Sequence, residues 1–496
     1  MVALLALALA QDLPSEPIRL TLRQAVHEAL KNNSELEVAR FEPWIQEQTL
    51  LAAYGAFDHV VFSTGQTGRT VTPGTTFFSG APELEQITHS YTLGVRRRFP
   101  FGLQAEIGFA SSGNQSNSTF ALLNPTWQNS LGLQVTLPIL RGAWVPNELA
   151  QIYILEKRRR TAVENFETAL LGAVHGVETA YHELIFAAEN EQVARRSLDL
   201  ARRLVQENER KLAQGQIIRL QVTEAQVQAA QREQDLLKAE QGLKNAVDRL
   251  RRQIDPARLR SSERPLVPAD SVVAPGEEID EESLVEASLA QALERRADYR
   301  ASTLAIESAE IELARAKRES LPRFDLTGRA AMVGVDDAFP AAFSRIFRFD
   351  SHELMGGFSF DLPVENRAAK HAALKAELEV RRARAARVDL ESRIILEVRE
   401  AVRDIATRRR TLKAADEQLR LAEERQASEE ARHRQGATTT YFLLVSQNDL
   451  NVALLNRLRA RIDLALSRTH LKRVRGSLLD DYDIKTLREL EPRDAR

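Results

Sequence analysis

The sequence predicts a mainly α protein: long antiparallel coiled-coil helices in two internal repeats, with short strands patterned for a membrane β-barrel. Three observations predict this. About half of the chain is Ala, Leu, Glu, Lys or Arg, the composition of long helices, and Gly (22) and Pro (17) are sparse over 496 residues. The two halves superimpose residue on residue. Each half also contains segments of strict apolar–polar alternation, whose period of two belongs to strands.

Composition removes several function classes. Lys+Arg 68 against Asp+Glu 70 gives a formal charge of -2, so no global field attracts nucleic acid. Zero cysteines exclude disulfides, thiolate metal sites, cysteine nucleophiles and a lipid on an N-terminal Cys. Residues Val2 to Ala10 are purely Val, Ala and Leu, with Ala8 and Ala10 in small-residue spacing. That stretch reads as the apolar part and cleavage site of a secretory signal peptide over 1–10 whose basic start is missing, so that either the true start lies upstream or the stretch is a disordered apolar stub. No other apolar run approaches the ~20 residues of a membrane helix. A membrane can then be entered only by strands.

The repeat sets the domain plan. At an offset of 221, Val177 falls on Val398, Leu184 on Ile405, Leu198 on Leu419 and Leu250 on Leu471, and Gln214-Gly215 falls on Gln435-Gly436. Near the start of each half the offset is 263, pairing Ala29-Leu30 with Ala292-Leu293. The first half therefore carries about 42 extra residues in between, and duplication of this length implies duplicated architecture. The first repeat spans 16–254, a Pro-rich acidic linker 255–282, the second repeat 283–477 and a polar C-terminal tail 478–496.

Within each repeat the elements follow one order. A helix (16–54; 283–321) leads to alternating segments (55–139; 322–363), then a very long helix (146–213; 365–434). A Gly turn (214–216; 435–438) follows, and a shorter helix closes the unit (217–253; 439–477). Val398, Val402, Ile405, Leu412, Leu419 and Ala422 fit a 3-4 stripe interrupted by Arg409 and Asp416, which is a packed seam with polar breaks. At 1.5 Å per residue the long helices reach roughly 100 Å. Pro43 removes an amide donor and is expected to kink the first helix, with no counterpart in the second half.

The alternating segments carry the membrane argument. Leu131, Leu133, Val135 and Leu137 alternate with Gly132, Gln134 and Thr136. Phe101, Leu103, Ile107 and Phe109 alternate with Gly102, Gln104, Glu106 and Gly108, and Phe358, Phe360 and Leu362 alternate with Gly357, Ser359 and Asp361. Periodicity alone suits a half-buried sheet or a barrel equally. The helices already spend their apolar seams on one another, so lipid is the better cover for these faces. The surplus length of the first half can supply an extra strand pair, 91–109, with the Arg96 to Arg98 cluster at an interfacial rim, the alternative being a surface flap outside the membrane. Ser111 to Ser118, rich in Ser and Asn, is expected to be an external loop; its triplets at Asn114 and Asn117 are explained by loop composition.

Conventional sites are missing from the pattern. His175 and His182 lie seven apart, without the i, i+4 spacing or third ligand of a metal site, and read as exposed histidines on a polar helix face. Arg158 to Arg160 and Arg408 to Arg410 lack interleaved aromatics and read as solvated faces. No nucleophile elbow, phosphate loop or catalytic, cofactor or metal constellation appears.

In this setting the opening helix LTLRQAVHEALKNNSEL, the turns LPILRG (137–142) and LPVENR (362–367), and the tips QGQIIRLQVTEAQ (214–226) and QGATTTYFLLVSQ (435–447) resemble the TolC family of outer-membrane efflux proteins. The resemblance covers nearly the whole exported chain. It implies a homotrimer in the cell outer membrane, whose strands form one shared barrel and whose helices form a tunnel through the periplasm. It implies tip contacts with a periplasmic adaptor protein at Gly215, Ile218, Gly436 and Thr439, and through the adaptor an inner-membrane transporter, in tripartite efflux or type I secretion. The family's tip Ser/Thr is kept as Thr439 but is Ile218 in the first half. Its constriction aspartates are replaced by Gln221 and Glu224 and by Phe442 and Val445, so an acidic gate becomes partly apolar. Physics independently requires an oligomer, because a lipid-embedded sheet cannot leave its edges open. Two other classes stay open at this point: a non-membrane coiled-coil scaffold, which leaves the strands unexplained, and a periplasmic adaptor, which has one helical hairpin rather than two.

Overall fold

A computed structural model describes residues 18–75, 79–143, 147–255, 266–270, 281–435 and 437–484. The signal-like stretch, most of the linker, Gly436 and the last part of the C-terminal tail lie outside the described residues. In chain order the elements are β1 (Ile18–Leu20), α1 (Leu22–Asn32), α2 (Ser34–Tyr54), β2 (Val60–Pro73), β3 (Glu83–Arg98), β4 (Gln104–Ser116), β5 (Thr126–Pro138), α3 (Asn147–Ala213) and α4 (Arg219–Ile254). The second half follows with β6 (Leu266–Pro268), α5 (Glu281–Arg295), α6 (Ala297–Glu319), β7 (Arg323–Asp336), α7 (Phe339–Ile346), β8 (His352–Asp361), α8 (Arg367–Arg434) and α9 (Thr440–Val474). The long helices α3 and α8 have 67 and 68 residues, and α4 and α9 have 36 and 35. The repeat is thus expressed helix by helix.

The chain forms two compact units. The first takes the described residues up to Pro43, Ala162–Ala301 and those from Arg387 onward. Its core joins Val26 and Ala29 of α1 to Val174, Val177, Tyr181 and Leu184 of α3 and to Leu250 of α4. The same seam recurs in the second half, where Val402, Ile405 and Leu412 pack with Leu464 and Leu471, and Val398 packs with Ala292 and Val474. The 3-4 stripe is therefore the buried edge, and each such side chain contributes roughly 1.5–3 kcal/mol. The polar breaks are solved at the margin: Asp416 turns out to meet Arg457 at 2.6 Å while Ala415 fills the seam.

The first helix departs from expectation. It runs through Pro43 to Tyr54, and the interruption falls at Asn33. Asn33 Oδ1 accepts from the amides of Glu35 at 2.9 Å and Leu36 at 3.1 Å. These bonds cap a new helix and satisfy amides that a continuous helix would have paired differently. The second half does have a counterpart, at Arg296 between α5 and α6, where the 263 offset places it. Within the segment expected only as linker, β6 pairs in parallel with β1, and Asp270 accepts from the Leu22 amide at 2.7 Å. The C-terminal segment also differs from a polar tail: Leu478 and Leu479 are buried in the core.

The second unit comprises Trp44–Thr161 and Ser302–Ala386. Its centre is one six-stranded sheet of order β2-β3-β4-β5-β7-β8, antiparallel throughout. The first half gives four strands and the second two, so the surplus residues become the hairpin β3–β4 around Phe99 to Leu103. Ser111 to Ser116, expected in a loop, continues β4 instead. Composition misled there, because Ser111 is buried and not solvated. The alternation expected over 322–363 is likewise broken by α7, which begins with Phe339-Pro340.

Candidate channel faces and tip turns

Register resolves the sheet into two faces. Val61, Val95, Ile107, Leu133, Ala330 and Leu354 are successive cross-strand partners, one from each strand. The next row on that face is Ser63, Leu93, Phe109, Leu131, Met332 and His352. Much of this apolar surface is open in the single chain: Val61 is 71 % exposed, Ile107 57 % and Leu354 82 %. The opposite face is polar or small across its four central strands, with Val60 and Phe62 on the β2 edge and Met355 on the β8 edge. Arg96, Glu106, Gln134 and Arg329 are successive partners there, and Gly94, Gly108, Gly132 and Ala331 form the adjoining row. A sheet with one contiguous apolar face of this extent cannot remain in water uncovered.

The arginine cluster sits where β3 meets the turn toward β4. Arg97 donates to the Phe57 carbonyl at 3.2 Å and lies over the Phe99 ring. Arg98 pairs with Glu148, and Arg96 lies over the Phe62 ring. All three charges are thereby held by partners at the end of the strand.

The tips are built from helix stop and start signals. Gly215 has φ +69°, a conformation that favours glycine. Its amide donates to the Leu212 carbonyl at 2.9 Å, and that of Gln216 to Lys211 at 2.9 Å, which satisfies the last carbonyls of α3. The second tip repeats the longer bond, from the Ala437 amide to Arg432 at 2.8 Å; Gly436 itself lies outside the described residues. Ile218 and Thr439 occupy the N-cap positions of α4 and α9, both in extended backbone and without a side-chain cap bond. Both side chains are exposed.

The four constriction candidates fall on the first two turns of these helices. Gln221 lends its carbonyl to Asn208 Nδ2 at 3.3 Å, with Asn208 buried, and Glu224 lies exposed one turn later. Phe442 is exposed with its ring edge-on to Tyr441, and Val445 is half-buried. Nearby, Ser446 donates to Gln426 Oε1 at 2.7 Å, and Arg232 of α4 donates to Asn448 of α9 at 2.8 Å. Among the described residues no hydrogen bond or ion pair links the α4 pair to the α9 pair.

The histidines differ from their reading as exposed. His175 is half-buried opposite His470, with ring centroids 6.0 Å apart, and burial followed by Arg473 and His470 lowers its pKa to about 4. His182 Nδ1 lies 2.8 Å from the Glu178 carbonyl. In the arginine triplets, Arg159 meets Glu47 at 3.1 Å and Arg408 meets Asp463 at 2.8 Å.

Duplicated helical hairpins interrupted by a two-faced antiparallel sheet define a membrane-channel class. The family model for outer membrane efflux proteins matches residues 99–254 and 288–477. The chain belongs to the outer membrane efflux protein family, and it is an efflux channel protein of that class, which sets aside the scaffold and adaptor readings. Its fold is similar to that of the Campylobacter jejuni CmeC outer membrane channel, with TM-score 0.68 at 15% identity over 95% of this chain and 88% of that one. It is similar to the outer-membrane channel OprN, with TM-score 0.68 at 16% identity over 95% of each chain. The outer membrane protein VceC of Vibrio cholerae gives 0.65 at 16% identity over 92% of this chain and 96% of that one. Among curated proteins, none matches the sequence significantly.

Sequence reasoning did not find the Arg96–Glu106–Gln134–Arg329 row, because the cross-strand register that aligns it joins the two halves. It also missed α7. The signal for that helix was present in Phe339, Phe343 and Phe347, spaced by four, with Pro340 at the helix start.

Proposed function

We propose that three copies of the chain close their sheets into one barrel in the outer membrane. The helices then form a periplasmic tunnel whose tips meet a periplasmic adaptor and, through it, an inner-membrane transporter. The channel is a passive conduit. One observation carries this reading: an apolar row crosses all six strands and is exposed in the single chain, while the reverse face carries Arg96, Glu106, Gln134 and Arg329. Lipid outside and water inside suit these two faces. Closure by other copies suits the edges, since unpaired backbone groups in hydrocarbon cost several kcal/mol each.

At the tips, Ile218 and Thr439 present different chemistry to the adaptor, and Gly215 sets the first turn. Symmetry brings three copies of Phe442 and Val445 together near Gln221 and Glu224, which narrows the tunnel by packing and dewetting more than by charge. Light scattering on the detergent-extracted protein tests the assembly, together with membrane fractionation. A trimer recovered with the outer membrane is expected, and a soluble monomer would overturn the reading.

A further inference from the structure

Between β7 and β8 the chain departs from the sheet and returns over it. Helix α7 seats at the end where β4 joins β5 and β7 joins β8, away from the end where α2, α3 and α6 connect to the strands. It lies on the apolar face. Phe109, Trp127 and Asn129 share that face by register, and Asn129 Nδ2 donates to the Phe339 carbonyl at 3.1 Å. The Phe339 ring stands edge-on to Trp127 at 5.5 Å, and the Phe343 ring edge-on to Phe109 at 5.6 Å.

The seat is made of small and polar residues. Ser111, Asn129 and Gly334 form one cross-strand row, and a Cβ at Gly334 would collide with the Ala342 carbonyl oxygen. Ala342 and Ile346 face inward and are buried, and Asn129 is 0 % exposed. Arg345 pins the helix to Asp336 at 2.7 Å. The outward side is different: Phe343 and Phe347 are 41 % and 57 % exposed, and the rings of Phe339, Phe343 and Phe347 follow one another at 6.2 and 5.5 Å. A polar notch in the strands is thus covered by an aromatic strip.

We propose that α7 is an interfacial anchor, its Phe339–Phe343–Phe347 strip seated at the boundary between headgroups and acyl chains of the outer leaflet. This rests on the barrel reading above. The argument for lipid as occupant is continuity: the strip extends the apolar row of Leu93, Phe109, Leu131 and Met332 to the sheet end that carries Trp127. Membrane barrels place aromatic residues in a girdle at that level. Here Tyr91 holds that row on β3, the strand positions on β4, β5 and β7 are Ser111, Asn129 and Gly334, and over these the helix supplies the girdle instead. An amphipathic helix lying in the interfacial plane buries its apolar side just below the headgroups.

The chain has no cysteine, so single-cysteine probes need no background removal. The purified oligomer, carrying an environment-sensitive fluorophore at Phe343→Cys, Phe347→Cys or Leu133→Cys, is reconstituted into phosphatidylcholine vesicles containing lipids with a nitroxide near the headgroup or near the chain end. The Phe343 and Phe347 probes are expected to lose more emission to the shallow nitroxide, and the Leu133 probe more to the deep one. Quenching of both helix probes by aqueous iodide alone, or protection from every quencher by a second copy, while Leu133 responds to lipid, overturns the anchor and leaves the barrel standing. A Leu133 probe blind to both nitroxides overturns the barrel and the anchor with it. Adding Gly334→Val should abolish the shallow quenching at Phe343 and spare Leu133; an unchanged Phe343 signal refutes the seating.

Discussion

The side-chain amide of Asn33 donates to the carbonyl oxygen of Gln253 at 2.7 Å, tying the break between α1 and α2 to the end of α4. The second half repeats this joint with other chemistry: Arg296 donates to the Val474 carbonyl at 3.4 Å. The pairs are related by the two offsets of the repeat, 263 for the break and 221 for the helix end. Arg296 also meets Asp298 at 2.7 Å and Glu397 at 2.5 Å. Burial opposes its charge, but these hydrogen bonds outweigh burial and hold the guanidinium above its usual value.

Asn33 makes three bonds from a buried position. Asn33→Ala should destabilise the first half by about 1–3 kcal/mol, because the Gln253 carbonyl and two amides lose their partner. Asn33→Asp keeps the acceptor and loses the donor, so its loss should be smaller. The midpoint of thermal helix loss, followed by circular dichroism, gives the order wild type, Asp, Ala.

His175 and His470 both have lowered pKa values, chiefly from burial. For His175 the folded value is about 4 against 6.5 unfolded. Between these limits the unfolded chain binds the proton and the folded chain does not, so stability is full above pH 6.5 and is lost as pH falls toward 4. Thermal midpoints across that window should drop less steeply for His175→Leu than for the wild type. Parallel curves would assign the acid sensitivity elsewhere.

Glu178 is buried and accepts from the Tyr482 hydroxyl at 2.6 Å and from Thr469. Burial and the neighbouring Glu178 carboxylate raise the Tyr482 pKa, so the hydroxyl stays a donor at neutral pH. Tyr482→Phe removes that donor from a buried carboxylate at a cost of about 1.5–3 kcal/mol. The segment from Leu478 should then be released, read as faster proteolytic trimming at the C-terminus with the oligomer intact.

Phe442→Ser should raise single-channel conductance in planar bilayers if the side chain lines the constriction. If Phe442 instead packs between neighbouring copies, conductance will stay at the wild-type level and only thermal stability will fall.

The helical half of the fold was legible because its signal is long. The stripe through Val398, Val402, Ile405 and Leu412 repeats often enough to outweigh single polar interruptions, and all four side chains are buried. Local competition was harder to read. Pro43 carries the stronger breaker reputation, yet the helix is interrupted at Asn33, whose side chain caps the next one, and an Asn ahead of Ser34-Glu35-Leu36 was its signal. The strands β1 and β6 have three residues each, too few for any period to show. Ser111 read as solvated because composition cannot reveal that α7 returns over the row it shares with Asn129. The positions of Gln221, Glu224, Phe442 and Val445 were legible as helix starts. The constriction proposed for them is not a property of one chain, since it depends on neighbouring copies.

β2 and β8, of 14 and 10 residues, form the two edges of the sheet in the described chain. Hydrocarbon does not tolerate unpaired strand edges, so in the shared barrel proposed above a lone subunit has no route into the bilayer, and insertion becomes one event with assembly. Heredity follows from that coupling. A subunit with a sound β2 and a spoiled β8 still recruits a normal neighbour and strands it in an unclosed ring. With equal expression of both alleles and random mixing, only about one trimer in eight is free of the defective subunit. Lesions in either edge strand should therefore be dominant, while lesions that prevent a subunit from folding at all should be recessive.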